Sequence, residues 1–252
     1  MNPHDHYTYW NQQRDQRARR LLHREIITLN ILKSLVQKGN CLLDVGCGDG
    51  RFMEQCIAIE SSLNIQGIDF SHVEVASAAK RGLAVKQGNV QDGLPYSQES
   101  FDIIHAAELI EHLYDADQFL IECNQALKTN GYLIISTPNL CAWFNRIFLP
   151  LGIQPLFLEP STRSKKIGSG ILGRFKKEDT PVGHVRIFTI LALKDMLARY
   201  EFELIQVKGA IFDEGLPRKM WWLDHLFAAI KPSLASNLIL VAKKKTNVAI
   251  ER

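Results

Sequence analysis

The chain lacks a Cys-x-x-Cys pair, a long apolar run, an internal repeat and a strong excess of either charge. Its five cysteines, at positions 41, 47, 56, 123 and 141, are scattered and odd in number. That excludes a zinc ribbon and argues against a disulfide framework, so reduced thiols in a cytoplasmic protein are expected. No stretch reaches the roughly 18 apolar residues that a membrane-spanning helix needs. The first residues are polar and carry both charge signs, unlike the apolar core of a secretory signal. A formal net charge of +3 is too small to demand a polyanionic partner. Without self-similarity at a fixed period, solenoids and propellers are excluded.

What is present is ordinary for one globular domain: 252 residues, 46% of them hydrophobic and 23% charged. A single domain over 1–252 is therefore expected. Leu21, Leu22, Ile26, Leu29, Leu32, Leu35 and Val36 recur at helical spacing and predict a helix over 17–37, within an N-terminal cap of 1–38; Gly39 and Asn40 stop it. Short apolar runs predict strands at Cys41–Val45, Ile65–Asp69, Ala84–Gln87, Phe101–Ala106 and Tyr132–Ser136. Helical patterns lie between them, near Arg51–Ile59, His72–Lys80, Leu109–Leu113 and Asp117–Leu127. Such alternation implies an α/β, doubly wound, mostly parallel sheet. A helix near Leu191–Arg199 and strands at Glu203–Val207 and Leu238–Lys243 complete the pattern. The stretches 140–185 and 210–236 have little periodicity and are too long for plain connections, which marks them as substrate-lid insertions.

The run Asp44-Val45-Gly46-Cys47-Gly48-Asp49-Gly50 follows the first strand and precedes a helix. Its glycines permit positive φ and close approach of the backbone to a ligand. A dinucleotide site needs its third glycine one position later, where Arg51 stands. The Asp44 carboxylate would repel a pyrophosphate but suits a ligand carrying an ammonium group. Asp69 ends the second strand about 20 residues on, where a carboxylate accepts hydrogen bonds from ribose hydroxyls. Asn89 follows the third strand, where a polar side chain can meet an adenine edge.

Glu108, Glu111 and His112 stand at i, i+3 and i+4. On a helix they share one face, beyond the fourth strand at the sheet edge where ligands bind. Two carboxylates and an imidazole there make a divalent-metal half-site, with oxygen-rich ligation favouring Mg or Mn and added histidines Zn or Fe. The alternative is an ordinary helix start, with acids at the positive end of the dipole.

Taken together, LLDVGCGDGRF, IQGIDFS, QGNVQDGLPYSQESFDIIHAAELIEHL and GYLIISTPN resemble the class I S-adenosylmethionine-dependent methyltransferases over about residues 38 to 140. The resemblance implies a Rossmann-like seven-stranded sheet whose last strand is antiparallel and inserted beside the fifth. It implies S-adenosylmethionine as methyl donor, with the loop residues Asp44, Gly46, Cys47 and Gly48 around its methionine part and Asp69 on its ribose. Phe70, Asn89 and Val90 would meet the adenine, and Ala107 the methionine end. ELIEHL is similar to ubiquinone-pathway O-methyltransferases and to small-RNA 2′-O-methyltransferases, in which these glutamates and histidine are linked to a divalent ion. The RNA enzymes add a downstream histidine, for which His184 is the candidate. Without a metal, His112 or His184 is the candidate general base. Tyr9 and Trp10 belong to the segment that folds over the cofactor in related enzymes.

The insertions bear on the acceptor. The first carries an apolar, aromatic stretch from Trp143 to Leu151, then Arg163, Lys165, Lys166, Arg174, Lys176 and Lys177 with no acid between Ser161 and Lys177. The second carries Arg218, Lys219, Trp221 and Trp222. Three readings stand: peripheral contact with an anionic bilayer at the inner face of a membrane, a cradle for an anionic or sugar-phosphate substrate, or lid packing with solvated lysines. A small-molecule or lipid-linked acceptor methylated at oxygen is the expected substrate. Nucleic acid is disfavoured by a pI near 8.5 and the lack of a separate RNA-binding module. A non-catalytic binding scaffold has no need of an intact loop with Asp44 and Asp69. Oligomeric state has no signature.

Overall fold

Every expected strand forms, and hydrophobic alternation explains why. In the computed structural model, which describes residues 20–175, 179–213 and 216–245, neighbouring residues of each central strand serve opposite faces of one sheet. Leu43, Ile104, Ile135 and Leu240 enter one apolar cluster, while Leu42, Ile103, Ile134 and Ile239 enter the other. Both faces are thus buried, as a parallel sheet requires.

The strands are β1 (Cys41–Val45), β2 (Asn64–Asp69), β3 (Ala84–Gln87), β4 (Phe101–Ala107), β5 (Leu127–Pro138), β6 (Phe202–Ala210) and β7 (Asn237–Lys244). They form one seven-stranded sheet in the order β3-β2-β1-β4-β5-β7-β6. β1 to β5 pair in parallel, and β7 runs antiparallel to both β5 and β6. α1 (His23–Leu35) and α2 (Arg51–Ile59) cover one face; α4 (Ala116–Ala126) and α6 (Ile190–Arg199) cover the other. Helix α3 (His72–Lys80) packs on β2 and β3. Ser71, Asp115 and Thr189 cap α3, α4 and α6 by accepting from Glu74, Gln118 and Ala192 backbone N–H, each such cap contributing about 1 kcal/mol.

Three boundaries differ from the sequence expectation. Among the described residues, the helix expected over 17–37 begins at His23, where Glu25 accepts the Leu22 N–H at 2.7 Å. β5 starts at Leu127, earlier than the expected Tyr132, because Leu127 pairs with Phe101. The helix expected near Leu109–Leu113 is a single 3-10 turn, Ile110–His112.

The insertions pack against each other. α5 (Trp143–Phe148) and α7 (Trp221–Ile230) share an apolar cluster of Ala142, Trp143 and Phe144 with Phe148, Phe157, Leu223 and Phe227 around it. Trp143 stacks on Phe227 at 5.2 Å. The buried Asp224 ties the assembly to the sheet by accepting from Trp143 Nε1 and Phe212 N, both at 2.9 Å, and from Ser236 Oγ at 2.7 Å. All five cysteines are free thiols. No helix among the described residues is long and apolar enough to cross a membrane. Tyr9, Trp10, Lys176 and Lys177 lie outside the described residues.

Candidate functional site

After β1 the chain runs out to β2 and β3, then returns to the other side of β1 as β4. The strand order reverses there, and it is outside the carboxyl ends of such a pair, here β1 and β4, that α/β sheets bind ligands.

The glycine loop lies on the β1 side. Gly46, Gly48 and Gly50 have φ of +76°, +53° and +81°, conformations that only glycine adopts without strain. Gly46 N and Cys47 N donate to Ile68 O at 2.8 and 3.2 Å, anchoring the loop to β2. Asp69 completes the anchor: its Oδ2 accepts from Gly48 N and its Oδ1 from Ser71 N, both at 2.8 Å. A Cβ on Gly48 would meet only Glu74 Oε2, at 3.9 Å, so this edge of the loop is open to a ligand. Beneath the loop, the Cys47 side chain enters the core, where a Cβ on Gly67 would lie 2.7 Å from its Sγ. Burial, with Asp44 and Asp69 nearby, pushes the Cys47 thiol up and keeps it protonated. Its Sγ donates to the loop carbonyl of Gly48 at 3.7 Å.

Asp44, next to last in β1 and just before the loop, is buried. It sits beside His105 in the β1–β4 register, and its Oδ1 accepts from His105 Nδ1 at 2.7 Å. His105 stacks on Phe52 with ring centroids 4.4 Å apart. Sequence reading missed His105, since only strand register brings it to Asp44. Phe70 is exposed after β2, and Val90 packs partly into the core. Asn89 Oδ1 accepts from Gln91 N at 3.1 Å, which leaves its amide donors for another partner. Ala107 ends β4.

The β4 side begins at Glu108, whose φ of +50° turns the chain sharply. With a 3-10 turn following, Glu108, Glu111 and His112 do not share a helical face. Glu108 accepts from Ser136 Oγ at 2.9 Å and lies 3.9 Å from Arg24 Nε. Glu111 is fully buried; its Oε2 accepts from Thr137 Oγ1 at 2.9 Å, and its Oε1 has no hydrogen-bond partner among the described residues. Burial first, then the Glu108 charge, raise its carboxyl well above the usual carboxylate range.

The structure groups Glu111 and His112 with His184, not with Glu108: each of the three offers a ligand atom, all within 4.8 Å of one another. His112 Nδ1 donates to Gly183 O at 3.1 Å and His184 Nδ1 to Phe157 O at 2.8 Å. A carbonyl only accepts, so each Nδ1 carries a proton, and in the neutral imidazole the acceptor nitrogen is then Nε2. The first insertion holds His184 in place. Glu159 accepts from Val182 N at 2.7 Å, Gly183 N at 2.8 Å and His184 N at 3.3 Å. Phe157, whose carbonyl holds the imidazole, adopts φ +73°, a strained conformation for an aromatic residue. Nothing local in the sequence marked Glu159.

Two imidazoles with lone pairs and an unsatisfied buried carboxylate oxygen fit a divalent ion. With only one carboxylate, this set suits Zn, Fe or Mn better than the expected Mg.

A family model described as a methyltransferase domain matches residues 9–207. A mitochondrial ubiquinone biosynthesis O-methyltransferase of Candida albicans is 33% identical over 191 residues, which are 71% of this chain and 52% of that one. A probable S-adenosylmethionine-dependent methyltransferase of Mycolicibacterium smegmatis is 29% identical over 133 residues, 52% of this chain and 46% of that one. The chain spans about half the length of such curated relatives. Among solved structures, an S-adenosylmethionine-dependent methyltransferase of Methanosarcina mazei superposes with a TM-score of 0.61 at 17% identity, covering 86% of this chain and 98% of that one. One from Thermotoga maritima, described as a possible histamine N-methyltransferase, gives 0.57 at 20% identity, covering 88% and 90%. At such identities these structures speak to the fold alone.

Proposed function

The chain belongs to the class I S-adenosylmethionine-dependent methyltransferases, and from that premise we propose that it methylates a hydroxyl of a small or lipid-linked acceptor. The supporting observation is the pairing, along one sheet edge, of a glycine loop bonded to Asp69 with the group Glu111, His112 and His184. S-adenosylmethionine, when bound, supplies a methyl group on a sulfonium that departs as a neutral thioether. Gly46 and Gly48 admit its methionine part to the backbone, and Ala107 borders it. Asp69, held by Gly48 N and Ser71 N, presents its carboxylate at the end of β2 as the acceptor for the ribose hydroxyls. Asn89 offers its amide to the adenine, flanked by Phe70 and Val90. Asp44, bonded to His105 and directly preceding the loop in sequence, supplies negative charge on the side of the cationic methionine part.

A hydroxyl must lose its proton to attack the methyl carbon. In the neutral ring of His112 or His184, with Nδ1 donating to a carbonyl, Nε2 is the nitrogen suited to take it. The same two residues with Glu111 suit a divalent ion, which would supply Lewis-acid activation of the hydroxyl. Relatives named as ubiquinone biosynthesis O-methyltransferases support oxygen as the target atom.

Transfer of radiolabelled methyl from S-adenosylmethionine to fractions of host lysate tests the reading. Label in a small-molecule or lipid fraction, lost in Asp69→Ala, is expected. Label confined to RNA or protein would overturn the acceptor class. No binding of S-adenosylmethionine in calorimetry would overturn the whole. Indifference to EDTA, with activity lost in His184→Ala, would assign base catalysis without a metal.

A further inference from the structure

We propose that the outer side of α7 is a docking surface for an anionic lipid bilayer. Trp222, Leu226 and Ile230 follow at intervals of four, so they form one row along the helix. Their exposures are 66%, 48% and 63%. The other side of α7 is already used: Leu223 and Phe227 pack around Trp143 and Phe144, and Asp224 is buried among its donors. A helix of this length with one apolar side satisfied by the protein has no internal reason to carry a second apolar row toward water.

Along 216–236 the exposed charge of Lys and Arg has no exposed acid beside it, the nearest acids in the chain being Asp213 and Glu214 before this stretch. From Leu216 to Ser236 the ionised side chains are Arg218, Lys219, Asp224 and Lys231. Asp224 is wholly buried, whereas Arg218, Lys219 and Lys231 are exposed and bracket the two ends of the row. Cationic charge gathers further at the start of α7, where the guanidinium carbons of Arg20 and Arg218 each lie 5.5 Å from the centroid of the Trp221 ring. α5, whose Trp143 stacks on Phe227 of α7, and the turn after it carry the further exposed apolar side chains Ile147, Leu149 and Leu151. Large apolar side chains, including an interfacial tryptophan, bracketed by Lys and Arg match acyl chains beneath acidic headgroups. A neutral apolar partner would leave the cations at both ends unanswered. Bilayer docking does not depend on the identity of the methyl acceptor or on cofactor binding.

The test is sedimentation of the full chain with vesicles of phosphatidylcholine alone or mixed with phosphatidylglycerol, at low salt. Binding to the mixed vesicles only is expected, with a blue shift of tryptophan emission. The triple variant Trp222→Ser, Leu226→Ser, Ile230→Ser should bind at least about tenfold more weakly, since these side chains supply the apolar insertion. Lys219→Ala with Lys231→Ala should weaken binding roughly 25-fold, at about fivefold per lysine near a charged surface. Should the triple variant fail to fold by circular dichroism, Leu226→Ser alone and the lysine pair carry the test. Equal binding of wild type and variants, or no binding of wild type to the anionic vesicles, would overturn the proposal. So would a wild-type dimer that becomes monomeric in the row variants, which assigns the row to a second copy. Vesicle binding by a protein that fails to bind S-adenosylmethionine would overturn the methyltransferase reading and leave this one standing.

Discussion

Glu111→Gln separates stability from function at a single buried atom. Glu111 has no exposed surface, and one of its oxygens has no hydrogen-bond partner among the described residues. Its folded pKa is raised, chiefly by burial and then by Glu108, against the opposing bond from Thr137 and the charge of Arg24. A carboxyl with a raised folded pKa binds its proton more tightly in the folded state. Its contribution to stability is therefore full below the unfolded value of 4.5 and is lost as pH rises from there toward the folded value. At neutral pH the metal-free protein consequently carries an unfavourable buried group, at a cost of about 1–3 kcal/mol. Glutamine keeps the shape and a partner for Thr137 but removes the charge. A domain of this size shifts its melting temperature by about 2–4 °C per kcal/mol, so the variant should melt roughly 2–12 °C higher at neutral pH. Thermal melts in EDTA across pH are the assay: the wild-type curve should fall as pH rises, and the variant curve should be flatter. Metal-dependent stabilisation and methyl transfer should both be lost in the same variant. A Gln variant that melts below wild type at neutral pH, or two parallel pH curves, would refute the reasoning.

Glu159→Gln replaces a triple acceptor of backbone N–H with a side chain that can satisfy fewer of them. Its expected effect is about a 10–100-fold loss of metal affinity, read from cobalt(II) absorption, with little change in melting temperature. Gly67→Ala forces a Cβ to 2.7 Å from Cys47 Sγ and 2.9 Å from Met53 Sδ under the glycine loop. About 1–3 kcal/mol of destabilisation should follow in urea melts, together with weaker S-adenosylmethionine binding by calorimetry. Asp224→Ala strands the Trp143, Phe212 and Ser236 donors. A loss of about 3 kcal/mol or more is expected, along with protease sensitivity of the paired insertions while the sheet persists.

Legibility followed the range of the interactions. The strand segments, Asp69 and the glycine loop were readable because each depends on neighbours a few residues away: apolar alternation, a turn needing positive φ, a carboxylate ending a strand. The last strand's antiparallel place beside β5 was anticipated from resemblance rather than from pattern, and it is found there. The ExxEH segment was read as helical because its spacing permits a shared face. Its conformation instead answers to Glu108 at φ +50° and to the bonds from Glu108 N to Ser136 O and from Thr137 to Glu111.

Local residue pattern alone therefore determined the α/β class and the turn after β1, because those rest on short-range backbone requirements, while the methyl donor was read from resemblance to a family. Tertiary structure alone decided which side chains complete the site. His105 reaches Asp44 across 61 residues, His112 bonds Gly183 across 71, and Glu159 reaches forward more than 20 to hold the loop of His184. Strand register and the path of the first insertion set those meetings, and neither is written in the spacing of nearby residues. The exposed row on α7 has the same origin. Its periodicity allows two apolar sides, and only the packing of α7 on α5 decides which of them is left outside.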